Sequence, residues 1–383
     1  MITIPKGKLF KLSIFMPIMK ILSTTIYQFK IPMVPFTIAT GTMEYAQNIL
    51  IQIQTDEGIV GIGECSAFPM IVGETQLSCY HHAKDFAAFW KGKDPLDIPA
   101  RLKELDLVIA GNYTAKSAFD LALYDIAAKA AGLPLYQYLG GQQKPIESDL
   151  TIGIQTPEAM AAQAIEFVEQ GVRIIKVKLG KDPKEDVERI RQIRTAIGPS
   201  IQIRIDANQG WTKEDALTVL TALAPFNIEF CEQPMHKYYD DFLPELCAKS
   251  PVKIMADESV FTHHDARKLI QNKACHSINI KFSKSGGIQE AIKIHDLAKA
   301  NHIPCMMGGM LESRVALSAK MHFAMAMDNV HFYDMDTCLI GHTVDPVIGG
   351  VQFNGMHLNI GEAAGIGAEV DPSYLRNLES CTI

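Results

Sequence analysis

Short runs of aliphatic and β-branched residues recur through the second two-thirds of the chain, at 150–154, 172–177, 201–205, 228–231, 252–256, 277–280, 303–307 and 331–335. Between most of them lie segments with apolar residues at helical spacing, 184–197, 212–223, 264–274, 288–301 and 314–328. That alternation predicts parallel βα units. Five consecutive runs end in a charged residue, Lys178, Asp206, Glu232, Asp257 and Lys281, at intervals of 24 to 28 residues, room for one strand, one loop and one helix. Charge confined to the carboxyl ends of buried parallel strands is how a barrel of eight such units carries its chemistry. The predicted fold is therefore α/β, a (β/α)8 TIM-like barrel.

Upstream, the pattern changes. Residues 49–53 and 59–62 flank Asp56-Glu57-Gly58 and predict an antiparallel hairpin, with 37–45 and 66–74 as candidate mobile loops. Helical spacing follows over 76–90, 99–107 and 113–131, the last stopping at Gly132-Leu133-Pro134. The expected organisation is an N-terminal extension (1–18), an α+β capping domain (19–140), the barrel (141–337) and a Gly-rich C-terminal segment (338–383) that packs back on the capping domain. Lys6, Lys8 and Lys11 ahead of an apolar run imitate a signal peptide, but Pro17 interrupts it and no small-residue cleavage site follows.

Composition narrows the partners. With 383 residues the chain can bury a large core, and a net charge of −7 without a basic block argues against nucleic acid or an anionic membrane. No run is long and apolar enough to span a bilayer. Eight cysteines, none in a Cys-x-x-Cys pair, fit reduced thiols in a cytoplasmic protein. A small molecule is the expected partner.

Asp206, Glu232 and Asp257 end the third, fourth and fifth barrel strands and converge on one side of the mouth. Three oxygen donors without His or Cys suit Mg²⁺ better than Zn²⁺. The bland alternative, three helix N-caps, explains one such acid readily and three in consecutive repeats poorly. Lys178 and Lys281 end strands two and six, four apart in a ring of eight, and so face each other across the mouth. Lys176 shares the inward face with Lys178. A neighbouring ammonium and a divalent cation both lower a lysine's pKa, which makes Lys178 a candidate base; a merely solvated strand end would not be matched in strand six. Two opposed lysines beside a carboxylate-binding metal predict removal of an α-proton, an enediolate, and return of a proton from the other face. Asp334-Met335-Asp336 ends strand eight, opposite the metal side. Asp-x-Asp alone can be a turn cap, but there it would meet the far end of a bound carboxylate, where a cationic group such as an amine two residues away, at most about 7 Å of chain, would fit.

These motifs, Lys176-Val177-Lys178, Asp206-Ala207-Asn208-Gln209-Gly210-Trp211, Glu232-Gln233-Pro234, Asp257-Glu258-Ser259 and Ile280-Lys281, resemble the enolase superfamily, in its muconate-lactonising subgroup. A lysine base with Mg²⁺ and an enediolate is known chemistry of that superfamily. Asp334-Met335-Asp336 resembles the motif with which its dipeptide epimerases hold a substrate ammonium. The resemblance implies that Thr151, Lys176 and the backbone at Gly309 and Leu311 line the substrate, that Asn208 and Glu258 support the metal site and lysines, and that one Mg²⁺ and a homo-oligomer are expected. Relatives acting on Ala-Glu carry a basic residue in the first loop; the aligned position here is Gly41. A preference for small or hydrophobic dipeptides such as Ala-Ala follows as an expectation, reinforced by Phe68, Met70 and Ile71 in the second loop. The competing readings are an o-succinylbenzoate synthase or N-acylamino acid racemase, whose substrates offer no ammonium to Asp334 and Asp336, and a catalytically idle binding protein, which would have no use for both lysines.

Overall fold

The computed structural model describes residues 19–383, so the extension at 1–18 lies outside the described residues. The chain opens with β1 (Ile21–Ile38) and β2 (Gly41–Thr55), which pair antiparallel along nearly their whole length; β3 (Val60–Ser66) adds to β2 and Ser380–Thr382 adds to the other edge of β1. The expected loop at 37–45 is instead the tip of this hairpin: Thr37 pairs with Thr42 and Ile38 with Gly41 around a two-residue turn. β-Branched Thr37, Ile38 and Thr42 favour the pleat on either side of the Ala39-Thr40 turn, and they outweigh the glycine that marks a loop elsewhere.

Three helices, Gln76–Trp90, Ile98–Val108 and Tyr113–Ala130, cover the sheet. Thr75 caps the first by accepting from the Ser78 N–H at 3.1 Å, and Asp97 caps the second. The third is buried on almost every side because it lies between the sheet and the barrel. Its Asp120 accepts from the N–H groups of Ile288 (2.6 Å) and Gln289 (3.2 Å) at the start of helix Ile288–Ala300, joining the two layers. This approach needs Gly287: a Cβ there would lie 2.3 Å from Asp120 Cγ, and its φ is +117°.

A short strand β4 (Ile146–Glu147) pairs with His357–Asn359, and the barrel follows. Its strands are β5 (Leu150–Ile152), β6 (Ile174–Lys178), β7 (Gln202–Asp206), β8 (Ile228–Glu232), β9 (Ile254–Ala256), β10 (Ser277–Ile280), β11 (Cys305–Gly308) and β12 (Val330–Asp334). All neighbours are parallel and adjacent in chain order. The Asp149 N–H donates to the Tyr333 carbonyl at 3.2 Å and bridges the first and last strands.

The helices between strands include Pro157–Glu169, absent from the helical segments above although Met160 and Ala164, with the partly buried Ala161, Phe167 and Val168, stand at helical spacing. Its start was nevertheless written in Thr156-Pro157, an N-cap followed by proline at the first helical position. After β12 the helix is a single turn, Thr337–Ile340, and the tail returns to the capping side, where the Ile366 N–H donates to Asp125 of helix Tyr113–Ala130 at 2.8 Å. No helix among the described residues is long and apolar enough to cross a membrane.

Candidate active site

Asp206 and Glu232 close β7 and β8 in direct register, and Asp257 follows β9 by one residue. Each is fully buried and each meets a lysine. Lys178 Nζ donates to Asp206 Oδ2 at 2.6 Å, Lys176 Nζ stands 2.7 Å from Glu232 Oε2, and Lys281 Nζ donates to Asp257 Oδ2 at 2.9 Å, with Lys284 on the other oxygen. The backbone beyond two of these strands enters the left-handed region at Asn208 (φ 41°) and Gln233 (φ 33°), strain of the kind that collects at working sites.

Electrostatics divides the acids. Burial pushes Glu232 up, and the charge of Asp206 adds to that, to about 7 despite Lys176. Burial also pushes Asp257 and Asp206 up, but Lys281 and Lys284 overcome it at Asp257, and Lys178 and Lys176 at Asp206, so both stay below the usual carboxylate range. The lysines answer in kind: burial pulls Lys176 and Lys281 down, and the surrounding carboxylates, Asp334 and Glu232 for the first, Asp257 and Glu232 for the second, more than restore them.

The donor set fits a hard divalent cation: carboxylate oxygens from three adjoining strands with no imidazole or thiolate among them. Asn208 and Glu258 add to the fit. The Asn208 amide donates to Asp206 (3.2 Å) and Glu258 (3.4 Å), while Asn208 Oδ1 and Glu258 Oε2 are buried beside the trio without a protein partner.

Beside this trio lies a small cavity, whose wall brings together Thr151, Lys178, Asn208, Lys281, Gly309, Leu311, Asp334 and Asp336 from the sequence prediction. Lys176 lies beneath, donating to Asp334 Oδ2 at 2.7 Å, and the Thr151 N–H donates to Asp336 Oδ2 at 2.7 Å. Leu311 is already engaged by the capping domain: its N–H donates to Ser66 Oγ (3.2 Å) and its carbonyl accepts from Asn48 (2.9 Å). Gly41 is not on this wall. The hairpin contributes Phe36 and Ile38 instead, and Met70 sits over Gly41, because the tip is strand and its alternation turns those side chains inward. Phe68, Ile71 and Ile340 complete the apolar side.

Sequence reasoning passed over several participants. Asn279 donates to Glu232 Oε1 at 2.6 Å and stands two residues before Lys281, so strand alternation could have found it. Asp149 stands two before Thr151 and brings an oxygen within 4.8 Å of Asp334 and Asp336. Lys284 had no such signal, since it sits on the one-turn helix Phe282–Ser285.

Known proteins share this architecture. Residues 21–140 match the mandelate racemase / muconate lactonizing enzyme N-terminal domain, and residues 159–374 the enolase C-terminal domain-like family. The chain belongs to the enolase superfamily. Among its relatives, a D-Ala-D/L-Ala epimerase of Cytophaga hutchinsonii is 43% identical over 91% of this chain and 95% of that one. The crystal structure of a dipeptide epimerase from the same organism, complexed with Mg and D-Ala-L-Val, superposes with a TM-score of 0.94 at 42% identity, covering 95% of this chain and all of that one. A dipeptide epimerase from Enterococcus faecalis, complexed with Mg and L-Leu-L-Tyr, gives 0.89 at 38% identity, covering 91% and 99%. These relatives are isomerases named for epimerisation of dipeptides. An N-succinyl-L-Arg/Lys racemase of Bacillus cereus (33% identical over 94% of this chain and 98% of that one) and an o-succinylbenzoate synthase of Geobacillus kaustophilus (36% over 88% and 90%) are also similar.

Proposed function

We propose that this isomerase is a Mg²⁺-dependent dipeptide epimerase that inverts the α-carbon of the C-terminal residue by transfer between two lysines. The observation that carries the reading is one cavity with Lys178 and Lys281 on strands four apart, the carboxylate trio beside them, and Asp334 and Asp336 on its wall. Asp206, Glu232 and Asp257 would hold the ion. An ion held there would supply positive charge beside the substrate carboxylate and would offset the carboxylate charge of Asp257 and Glu232 that raises Lys281. One lysine removes the proton and the other delivers one to the opposite face; which lysine begins depends on the starting epimer. Lys176, sharing Glu232 and Asp334, ties the ion side to the ammonium side. Asn208 and Glu258 steady the trio, and Thr151 and the backbone at Gly309 and Leu311 enclose the substrate.

Phe36, Ile38, Phe68, Ile71 and Ile340 make the wall apolar, which supports small or hydrophobic dipeptides, Ala-Ala being the simplest. The epimerases of C. hutchinsonii and E. faecalis, solved with D-Ala-L-Val and L-Leu-L-Tyr, point the same way. Cytoplasmic location and a homo-oligomer belong to the same proposal, resting on the unpaired cysteines and the habit of such barrels. The test is incubation with Mg²⁺ and Ala-Ala or Ala-Val in D₂O, following deuterium entry at the C-terminal α-carbon by NMR. Exchange on N-succinyl amino acids with none on any dipeptide would overturn the reading.

A further inference from the structure

Asp149 is a buried acid with a half-used carboxylate. Oδ2 accepts from Arg204 at 2.9 Å, while Oδ1 has no hydrogen-bond partner, although the side chain is wholly enclosed. It stands within 4.8 Å, oxygen to oxygen, of both Asp334 and Asp336. Leaving a buried carboxylate oxygen unpaired next to two like charges is costly, and the cost is met by a proton or by a compensating cation. The cations present fall short. Arg204 is shared with Glu229 at 2.7 Å, and Lys176 is shared among Asp334, Glu232 and Asp206. A second metal ion is disfavoured because the Lys176 ammonium already occupies Asp334. The cavity opens on Asp334 and Asp336, whereas Asp149 lies behind them.

We infer that Asp149 is a positioning residue for substrate selection: as the third carboxylate behind Asp334 and Asp336, it makes that end of the cavity a seat for a free ammonium group and against an uncharged acyl end. The inference rests on the dipeptide reading and deepens it. Asp149 does not touch the substrate; it acts by raising the negative potential at the two aspartates that do, and its link to Arg204 on β7 fixes it there.

The experiment compares the Mg²⁺-loaded wild type with Asp149→Asn and Asp149→Glu, using Ala-Val and its deamino analogue N-propanoyl-valine. For Asp149→Asn, KM for Ala-Val should rise by about tenfold or more with a much smaller change in kcat, and the preference for Ala-Val over N-propanoyl-valine should shrink in proportion; Asp149→Glu should recover part of it. A purely structural role would weaken both compounds alike. Should Asp149→Asn not fold, calorimetry of the wild type decides. Burial and the charge of Asp334 push Asp149 and Asp336 up against Arg204 and Lys176, with Glu229 beyond. Burial also pushes Asp334 up, but Lys176, Lys178 and Lys281 hold it below the usual carboxylate range, so this close group of three keeps a proton until an ammonium arrives. Binding Ala-Val in two buffers of different ionisation enthalpy should therefore register proton release, and N-propanoyl-valine none. A folded Asp149→Asn with KM within about twofold of wild type, or binding of Ala-Val without proton release, overturns the inference while leaving the dipeptide reading intact. A wild type inert toward every dipeptide overturns both.

Discussion

Gly41 and Met70 offer a direct test of how the hairpin sets side-chain preference. A Cβ on Gly41 would lie 2.8 Å from Met70 Sδ and 3.2 Å from Cε, so an arginine there must displace the end of a flexible side chain that is 42% exposed. Met70→Ala clears the way, and the informative protein is the double variant Gly41→Arg/Met70→Ala. In the unaltered protein, enclosing a leucine side chain among Phe36, Ile38, Phe68 and Ile71 is worth about 1.5–3 kcal/mol, or roughly 10- to 150-fold in kcat/KM. A glutamate carboxylate carried to the same place unpaired costs about 1–3 kcal/mol more. Ala-Leu should therefore exceed Ala-Glu by about 100-fold or more in kcat/KM. A guanidinium reaching that carboxylate contributes about 1.5–3 kcal/mol, so the double variant should narrow the ratio by about tenfold or more. The assay is deuterium entry at the C-terminal α-carbon for both dipeptides with wild type, Met70→Ala and the double variant. Wild-type turnover of Ala-Glu matching Ala-Leu, or a ratio unmoved by the arginine, would refute the reasoning.

Three further expectations follow. Lys178→Ala and Lys281→Ala should each abolish epimerisation while retaining exchange of the α-proton from one epimer, opposite for the two variants; inversion at wild-type rate by either removes that lysine from the reaction. Chelation should stop turnover and Mg²⁺ restore it, with Asp206→Asn needing far more Mg²⁺ for half-maximal rate; full activity in metal-free protein would contradict the assignment. Burial raises Asp120 from 3.8 to about 7, so the folded protein keeps a proton that the unfolded chain gives up. Its contribution to stability is complete below the unfolded value and fades as pH rises to about 7. Asp120→Asn should flatten that part of a melting-temperature profile, and an unchanged slope would show that other groups set it.

Strand ends were the most legible part of the molecule, since the charged residues from Lys178 to Lys281 recur at a βα period and an inward residue at a strand tip has one place to point. Asp206 and Glu232 accordingly stand in direct register. Legibility failed where a residue's meaning comes from a neighbour distant in sequence. Gly41 reads as loop until Ile38 is seen opposite it in the hairpin. Nothing around Lys284 announces that its ammonium reaches Asp257, 27 residues back. Asp149, two residues before Thr151, gains its meaning only when Tyr333 and Asp334 of β12, and Asp336 just beyond, come beside it.

The anchoring of the cavity explains how its chemistry and its selectivity are kept apart. Lys178, Lys281 and the three acids end barrel strands whose neighbours are in parallel register, so their positions are set by the sheet. The apolar wall comes from elsewhere: Phe36 and Ile38 from β1, Phe68 and Ile71 from the short turn after β3. These elements reach the barrel through discrete polar ties. Asn48 and Ser66 hold Leu311, and Glu64 accepts from Ser313 Oγ at 2.6 Å and from the Ala316 N–H at 3.0 Å at the start of helix Arg314–Ala326. None of those ties involves Phe36, Ile38, Phe68 or Ile71. Their side chains instead belong to or pack on the apolar core shared with the barrel, so the preference of the wall can vary through changes that keep that packing filled while the hydrogen bonds of the capping domain and the lysines and acids stay in place.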